Sequence, residues 1–216
     1  MNLFIAATDT GAGKTYIASR LIRRLRAQGI DAVGFKPVCC GDRADAEALQ
    51  AAAGPGGPGL NAVNPVWFRV PAAPYAASLI ENRLVDLDLI RETYAALRAR
   101  HAAVIVEGVG GWLAPLTGSR SMGDLAAEFG APALLVVKNR LGALNHTALT
   151  LRAMAADGVS CRGLILNDPS PIESAAELDP QDAALGANRS LLAEMAPVLA
   201  EVAWGGDLAW PATQVN

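Results

Sequence analysis

The chain has 216 residues, 52% hydrophobic and 18% charged, with a formal net charge of −3. Such a composition fits one globular domain over 1–216 and excludes a disordered chain. The mildly acidic balance gives no footprint for nucleic acid or an anionic membrane, and no apolar stretch is long enough to cross a bilayer.

The apolar run Leu3–Ala7 reads as a first strand, and no charged leader marks it as a signal peptide. It enters "ATDTGAGKT" (7–15), after which the pattern predicts a helix over Lys14–Gln28. Arg20, Arg23, Arg24 and Arg26 are expected on a solvated face of that helix. A strand over Ala32–Phe35 leads through "GFKPVCCG" (34–41) to a helix over Ala44–Ala53, and "GPGGPG" (54–59) reads as a surface loop. A helix over Leu87–Arg100 and a strand over Ala103–Val106 lead into "VEGVGGW" (106–112). The remaining expected elements are helix Met122–Phe129, strand Ala133–Val137, helix Asn145–Ala156, strand Gly163–Leu166, helix Ala183–Met195 and strand Val198–Val202. Short, continuous apolar runs separated by helices predict an α/β fold with a mostly parallel sheet covered on both faces. Cys39, Cys40 and Cys161 are too few for a disulfide framework and lack zinc-site spacing, so reduced thiols in a cytoplasm are expected.

In such folds ligands sit beyond the carboxyl ends of the strands. Clusters Thr8–Thr15, Lys36–Asp45, Glu107–Trp112 and Arg140–Asn145 all fall there. Strand, Gly-x-Gly-Lys-Thr and helix in this order give a P-loop NTPase-like site. Gly11, Ala12 and Gly13 would curl the backbone around phosphates, and the helix start adds free N–H donors and partial positive charge. Lys14 would bridge the terminal phosphates and the Thr15 hydroxyl would hold Mg²⁺, an oxygen-seeking ion. Glu107 ends a buried run, a costly place for a carboxylate without a partner, and is a metal candidate. Asp45 is the other, with Asp42 as its alternative. No Asn-Lys-x-Asp guanine pattern is present, which favours ATP.

Strict P-loop spacing asks for Gly at position 8, where the chain has Thr8. The longer spacing resembles that of dethiobiotin synthetases, whose loop reads G-T-D-T-x-V-G-K-T, with Ala7 here at the first glycine. The similarity continues in order through "GFKPVCCG", "DAEALQ", "VNP", "VEGVGGWLAPL", "LGALNHTALT", "LILND" and "AEVAW". It implies ATP- and Mg²⁺-dependent ring closure of 7,8-diaminononanoate with CO₂ to dethiobiotin. It implies that Thr10, Lys14 and Lys36 act on carbamate and phosphate, and that Thr15, Asp45 and Glu107 hold the metal. Cys40, where the family often has Ser, and Gly110 would contact substrate, and Asn167 would read the adenine edge. Gly142, Ala143 and Asn145 would bind the substrate carboxylate of a partner subunit, so a homodimer is expected. His146 is expected to be structural, and Ala203 stands where the family has Pro.

Two other functions share a similar loop. Amide-forming synthetases of cobalamin synthesis carry an additional glutamine-hydrolysing domain, for which 216 residues leave no room. A nucleotide-switched binding protein would hydrolyse ATP slowly without any small substrate.

Overall fold

The computed structural model describes residues 1–168 and 180–208. Its main sheet has six strands: β1 (Asn2–Ala7), β2 (Ala32–Phe35), β5 (Ala103–Glu107), β6 (Ala133–Lys138), β7 (Cys161–Asn167) and β8 (Val198–Val202). They lie in the order β2-β5-β1-β6-β7-β8, and every adjacent pair is parallel. β1 is central and buried along nearly its whole length, as its unbroken apolar run requires. The chain leaves β1 toward one edge and later returns to its other side, which opens a crevice at the carboxyl ends.

Helix α1 (Lys14–Ala27) buries Ile17, Ala18, Leu21, Ile22 and Leu25 on one side. Its arginines depart from the expected solvated face. Arg20 bonds Tyr16 and Asp207, Arg24 donates to the Leu208 carbonyl and Arg26 pairs with Asp31, leaving only Arg23 of the four exposed. These contacts, with Tyr16 donating to the Gly206 carbonyl, fasten 206–208 across α1. α2 (Ala44–Ala53), α5 (Leu87–Arg100), α6 (Met122–Phe129), α7 (Ala143–Ala156) and α8 (Pro180–Ala193) match the expected elements within a few residues.

The stretches on either side of α2, between β2 and α5, are more structured than the hydrophobic pattern predicts. β3 (Val38–Cys40) and β4 (Val66–Phe68) form a small parallel sheet, joined through α2 and α3 (Leu60–Val63) and followed by α4 (Pro74–Ile80). These pieces are too short to show a period, and tertiary contacts hold them. Asn64 is the buried pin: its amide donates to the carbonyls of Lys36 and Val66, and its own oxygens accept from Arg43. The pin fixes where β2 releases the chain, and so where Lys36 emerges.

Candidate active cleft

A cleft of about 790 Å³ opens at the carboxyl ends of β1, β2 and β5. Thr10, Gly11, Gly13, Lys14, Thr15, Lys36, Cys40, Asp45, Glu107 and Gly110 reach it from three separate segments. Gly13 caps α1 in the left-handed region at φ 93°, a conformation that costs an L side chain steric strain. A Cβ there would also lie 2.3 Å from the Asn167 amide nitrogen, so the loop closes only over glycine.

The Lys14 ammonium donates to the Gly110 carbonyl at 2.7 Å and lies 3.5 Å from that of Asp9. Burial, and next the neighbouring Lys36 charge, pull its pKa down to about 8. Lys36, itself buried, spans Asp45 Oδ2 at 2.7 Å and Glu107 Oε1 at 2.6 Å. Burial pushes the Lys36 pKa down, but the Glu107 and Asp45 charges outweigh it, so this ammonium is held charged above the usual lysine range. Burial raises the Asp45 pKa, and the Lys36 charge more than reverses this, leaving the carboxyl below its ordinary value.

The donor set suits a divalent cation. Thr15 Oγ1 lies 2.7 Å from both Asp45 Oδ1 and Glu107 Oε1, yet one hydroxyl hydrogen can serve only one of them. Glu107 Oε2 is buried without a partner, which in a protein interior calls for a cation or water. Three neutral or anionic oxygen donors converging this way fit Mg²⁺.

The expected site residues divide into groups. Thr10, Gly11, Gly13, Lys14, Thr15, Lys36, Cys40, Asp45, Glu107 and Gly110 come together in the cleft. Asp42 instead accepts from the Ala44 backbone N–H at the start of α2. Ala12 is buried, and its carbonyl accepts from the Asn167 amide at 2.8 Å, so Asn167 braces the loop from behind. Gly142, Ala143 and Asn145 are not among the residues lining the cleft. Gly142 and Asn145 are exposed at the start of α7, while Ala143 is buried and its N–H turns back to the Arg140 carbonyl. Arg140 alone in that cluster reaches the loop, through Asp9 at 3.0 Å.

The pattern of the sequence missed the far wall, made of Pro71, Ala72, Ala73, Pro74, Ala114 and Pro115. Its signal is the run "VPAAPY", two prolines bracketing small residues, which reads locally as any loop. Cys40 lines the cleft as well, and burial pushes its thiol up to about 11, so it faces the cleft as a neutral thiol near pH 7.

A profile of the AAA domain family matches residues 1–212. The ATP-dependent dethiobiotin synthetase of Akkermansia muciniphila is 44% identical over 208 residues, covering 95% of this chain and 93% of that protein. A second ATP-dependent dethiobiotin synthetase, from Anaeromyxobacter dehalogenans, is 47% identical over 186 residues, covering 82% of this chain and 83% of its own. Among solved structures, the kinase domain of the Escherichia coli tyrosine kinase ETK superposes with a TM-score of 0.54 at 18% identity, over 82% of this chain and 71% of that one. The septum site-determining protein MinD of Pyrococcus horikoshii gives 0.51 at 15% identity, over 94% and 82%. These two share the fold.

Proposed function

We infer, for a chain that belongs to the ATP-dependent dethiobiotin synthetase family, that the cleft closes the ureido ring of dethiobiotin from 7,8-diaminononanoate, CO₂ and ATP. The observation that carries this reading in the structure is the meeting of the phosphate loop with Lys36, Asp45 and Glu107 around one Thr15 hydroxyl.

One amine of the diamine adds to CO₂ and loses a proton, forming a carbamate. A carbamate oxygen attacks the γ-phosphorus; the new O–P bond forms as the bond to the ADP oxygen breaks. The second amine then attacks the carbamoyl carbon, the C–O bond to phosphate breaks, and the amine gives up a proton as the ring closes. Phosphoryl transfer of this kind is served chiefly by positioning and charge neutralisation. Backbone N–H groups at 11–15 would bind the β- and γ-phosphates, and Lys14 would follow the transferring group. Lys36 and Thr10 would hold the carbamate in line. Thr15, Asp45 and Glu107 would hold Mg²⁺, which supplies charge to the phosphate oxygens. The Gly110 backbone and Cys40 would line the diamine path, and Asn167 would serve the adenine side.

The open, apolar wall at Pro71–Pro74 and Ala114–Pro115 suits the alkyl chain of the substrate. A homodimer would complete it. Leu79, Ile80, Leu113, Leu141 and Leu149 are exposed apolar side chains that a partner copy would cover. Gly142, Ala143 and Asn145 of one copy would meet the carboxylate of a substrate held mainly by the other. No helix among the described residues is long and apolar enough to cross a membrane, and free cysteines suit a cytoplasmic enzyme.

The test is direct. Protein, ATP, Mg²⁺, bicarbonate and 7,8-diaminononanoate should yield dethiobiotin by mass, with phosphate release dependent on the diamine. Phosphate release indifferent to the diamine would instead mark a nucleotide-switched binding protein.

A further inference from the structure

The Lys14 ammonium rests on the Gly110 carbonyl, so the turn 108–112 sets where that ammonium lies. Gly110 takes a left-handed φ of 63°, and the turn offers no regular ladder to hold it. Trp112 anchors it. Its indole is buried and meets the Phe4 ring edge-on at 5.9 Å, and its carbonyl accepts from the Gly123 N–H at 2.8 Å. The indole N–H donates to Asp157 Oδ2 at 2.6 Å. Asp157 caps the carboxyl end of α7 and reaches Trp112 from 45 residues away. A hydrogen bond to an ionised acceptor is stronger than a neutral one, and a buried indole N–H left without a partner is costly. Gly123 passes close over this contact: a Cβ there would lie 2.4 Å from Trp112 Nε1 and 2.7 Å from Asp157 Oδ2. Three elements thus converge on one hydrogen bond that no cleft residue shares.

We propose that Asp157 is a positioning residue: through the Trp112 indole it fixes the 108–112 turn, and thereby the Gly110 carbonyl that holds Lys14 and faces the diamine. This rests on the ring-closing reading above, because the diamine is the ligand that passes Gly110. It predicts a loss in the steps that use Lys14 and the Gly110 turn, phosphoryl transfer and diamine binding, with the cation ligands undisturbed, since Asp157 acts through the turn and touches none of them.

The variants are Asp157→Ala, Asp157→Asn, Trp112→Phe and the double variant Asp157→Ala/Trp112→Phe. Both the Asp157→Ala and Trp112→Phe proteins should lose tenfold or more in kcat/KM for 7,8-diaminononanoate, with the Mg²⁺ concentration for half-maximal turnover within twofold of the parent. Asp157→Asn keeps an acceptor and should stay within about threefold. The double variant should fall no further than the lower single one, as expected for groups acting in series. A second measurement needs no turnover. The chain has three lysines, Lys14, Lys36 and Lys138. In ¹³C-lysine-labelled protein, Asp157→Ala should shift the Lys14 resonance and leave that of Lys138 in place; Lys36, which donates to the Gly108 carbonyl of the same turn, is expected to move less than Lys14. An unmoved Lys14 resonance, additive losses in the double variant, or a Mg²⁺ requirement rising in step with the loss of kcat/KM would each overturn the proposal. A parent protein without diamine-dependent turnover would instead remove the ring-closing reading, and the lysine spectrum would still decide whether Asp157 governs Lys14.

Discussion

The two ends of the cleft are built on opposite principles. At the phosphate end, charges are paired at short range: Lys36 spans two carboxylates, Thr15 touches both, and Lys14 is fastened to Gly110. At the far end the wall is proline and alanine, with no charge at all. In the proposed reaction the first end would neutralise developing negative charge, with Lys36 and Glu107 buried where electrostatics are stronger than in water. The second can only shape an alkyl chain. Substitutions at the first should therefore change the rate of chemistry, and substitutions at the second should change which diamine is accepted.

The sharpest way to break this contrast is at Lys36. Lys36→Gln keeps a hydrogen-bond donor but removes the charge, and kcat should fall roughly a hundredfold to a thousandfold. ADP affinity should change by less than about fivefold, which calorimetry would read. An equal loss in nucleotide binding would move Lys36 from the chemistry to the loop. Next is Glu107→Gln. Loss of a cation ligand should raise the Mg²⁺ concentration needed for half-maximal turnover by roughly tenfold or more. An unchanged Mg²⁺ titration would exclude Glu107 as a ligand. At the neutral end, Ala73→Leu should narrow the wall and lower kcat/KM for the diamine about tenfold, with kcat at saturation little altered. A fall in kcat instead would erase the distinction between the ends. Cys40→Ser should change kcat/KM by less than about threefold, because its high thiol pKa leaves it uncharged at working pH.

A pH titration sharpens the same contrast inside the charged end. Lys14 should titrate near pH 8 in nucleotide-free protein, while Lys36 stays protonated past the ordinary lysine value of 10.5. The unfolded chain keeps Lys14 protonated to about 10.5, so between about pH 8 and 10.5 unfolding takes up a proton. This residue's contribution to stability then rises with pH across that window. A ¹³C lysine titration with both midpoints above pH 10 would contradict it.

How far the sequence carried the reading also differs between the two ends. The charged end was legible because each member carries its own signal: a Gly-x-Gly-Lys-Thr turn after a buried strand, a carboxylate closing an apolar run, and a lysine before proline in a family motif. The six strands of the main sheet were legible for the same reason, since buried runs such as Ala133–Lys138 cannot be solvated. The neutral end was not, because residues 71–74 and 114–115 lie in loops and at the start of α4, where prolines and alanines carry no period; β3, β4 and α3 were missed too, being three or four residues long and held by Asn64 and packing. The arginines of α1 misled because a charge run looks solvated until the distant 206–208 segment is seen lying over it. The Asp157–Trp112 bond joins residues whose spacing carries no local pattern.

In the proposed reaction the charged end joins a carbamate oxygen to the γ-phosphorus of ATP. Supplying ¹⁸O-labelled bicarbonate with ATP, Mg²⁺ and 7,8-diaminononanoate, and weighing the phosphate released, tests it most directly. One ¹⁸O atom per phosphate, appearing only with the diamine, is the predicted result; phosphate carrying oxygen from solvent alone would contradict it.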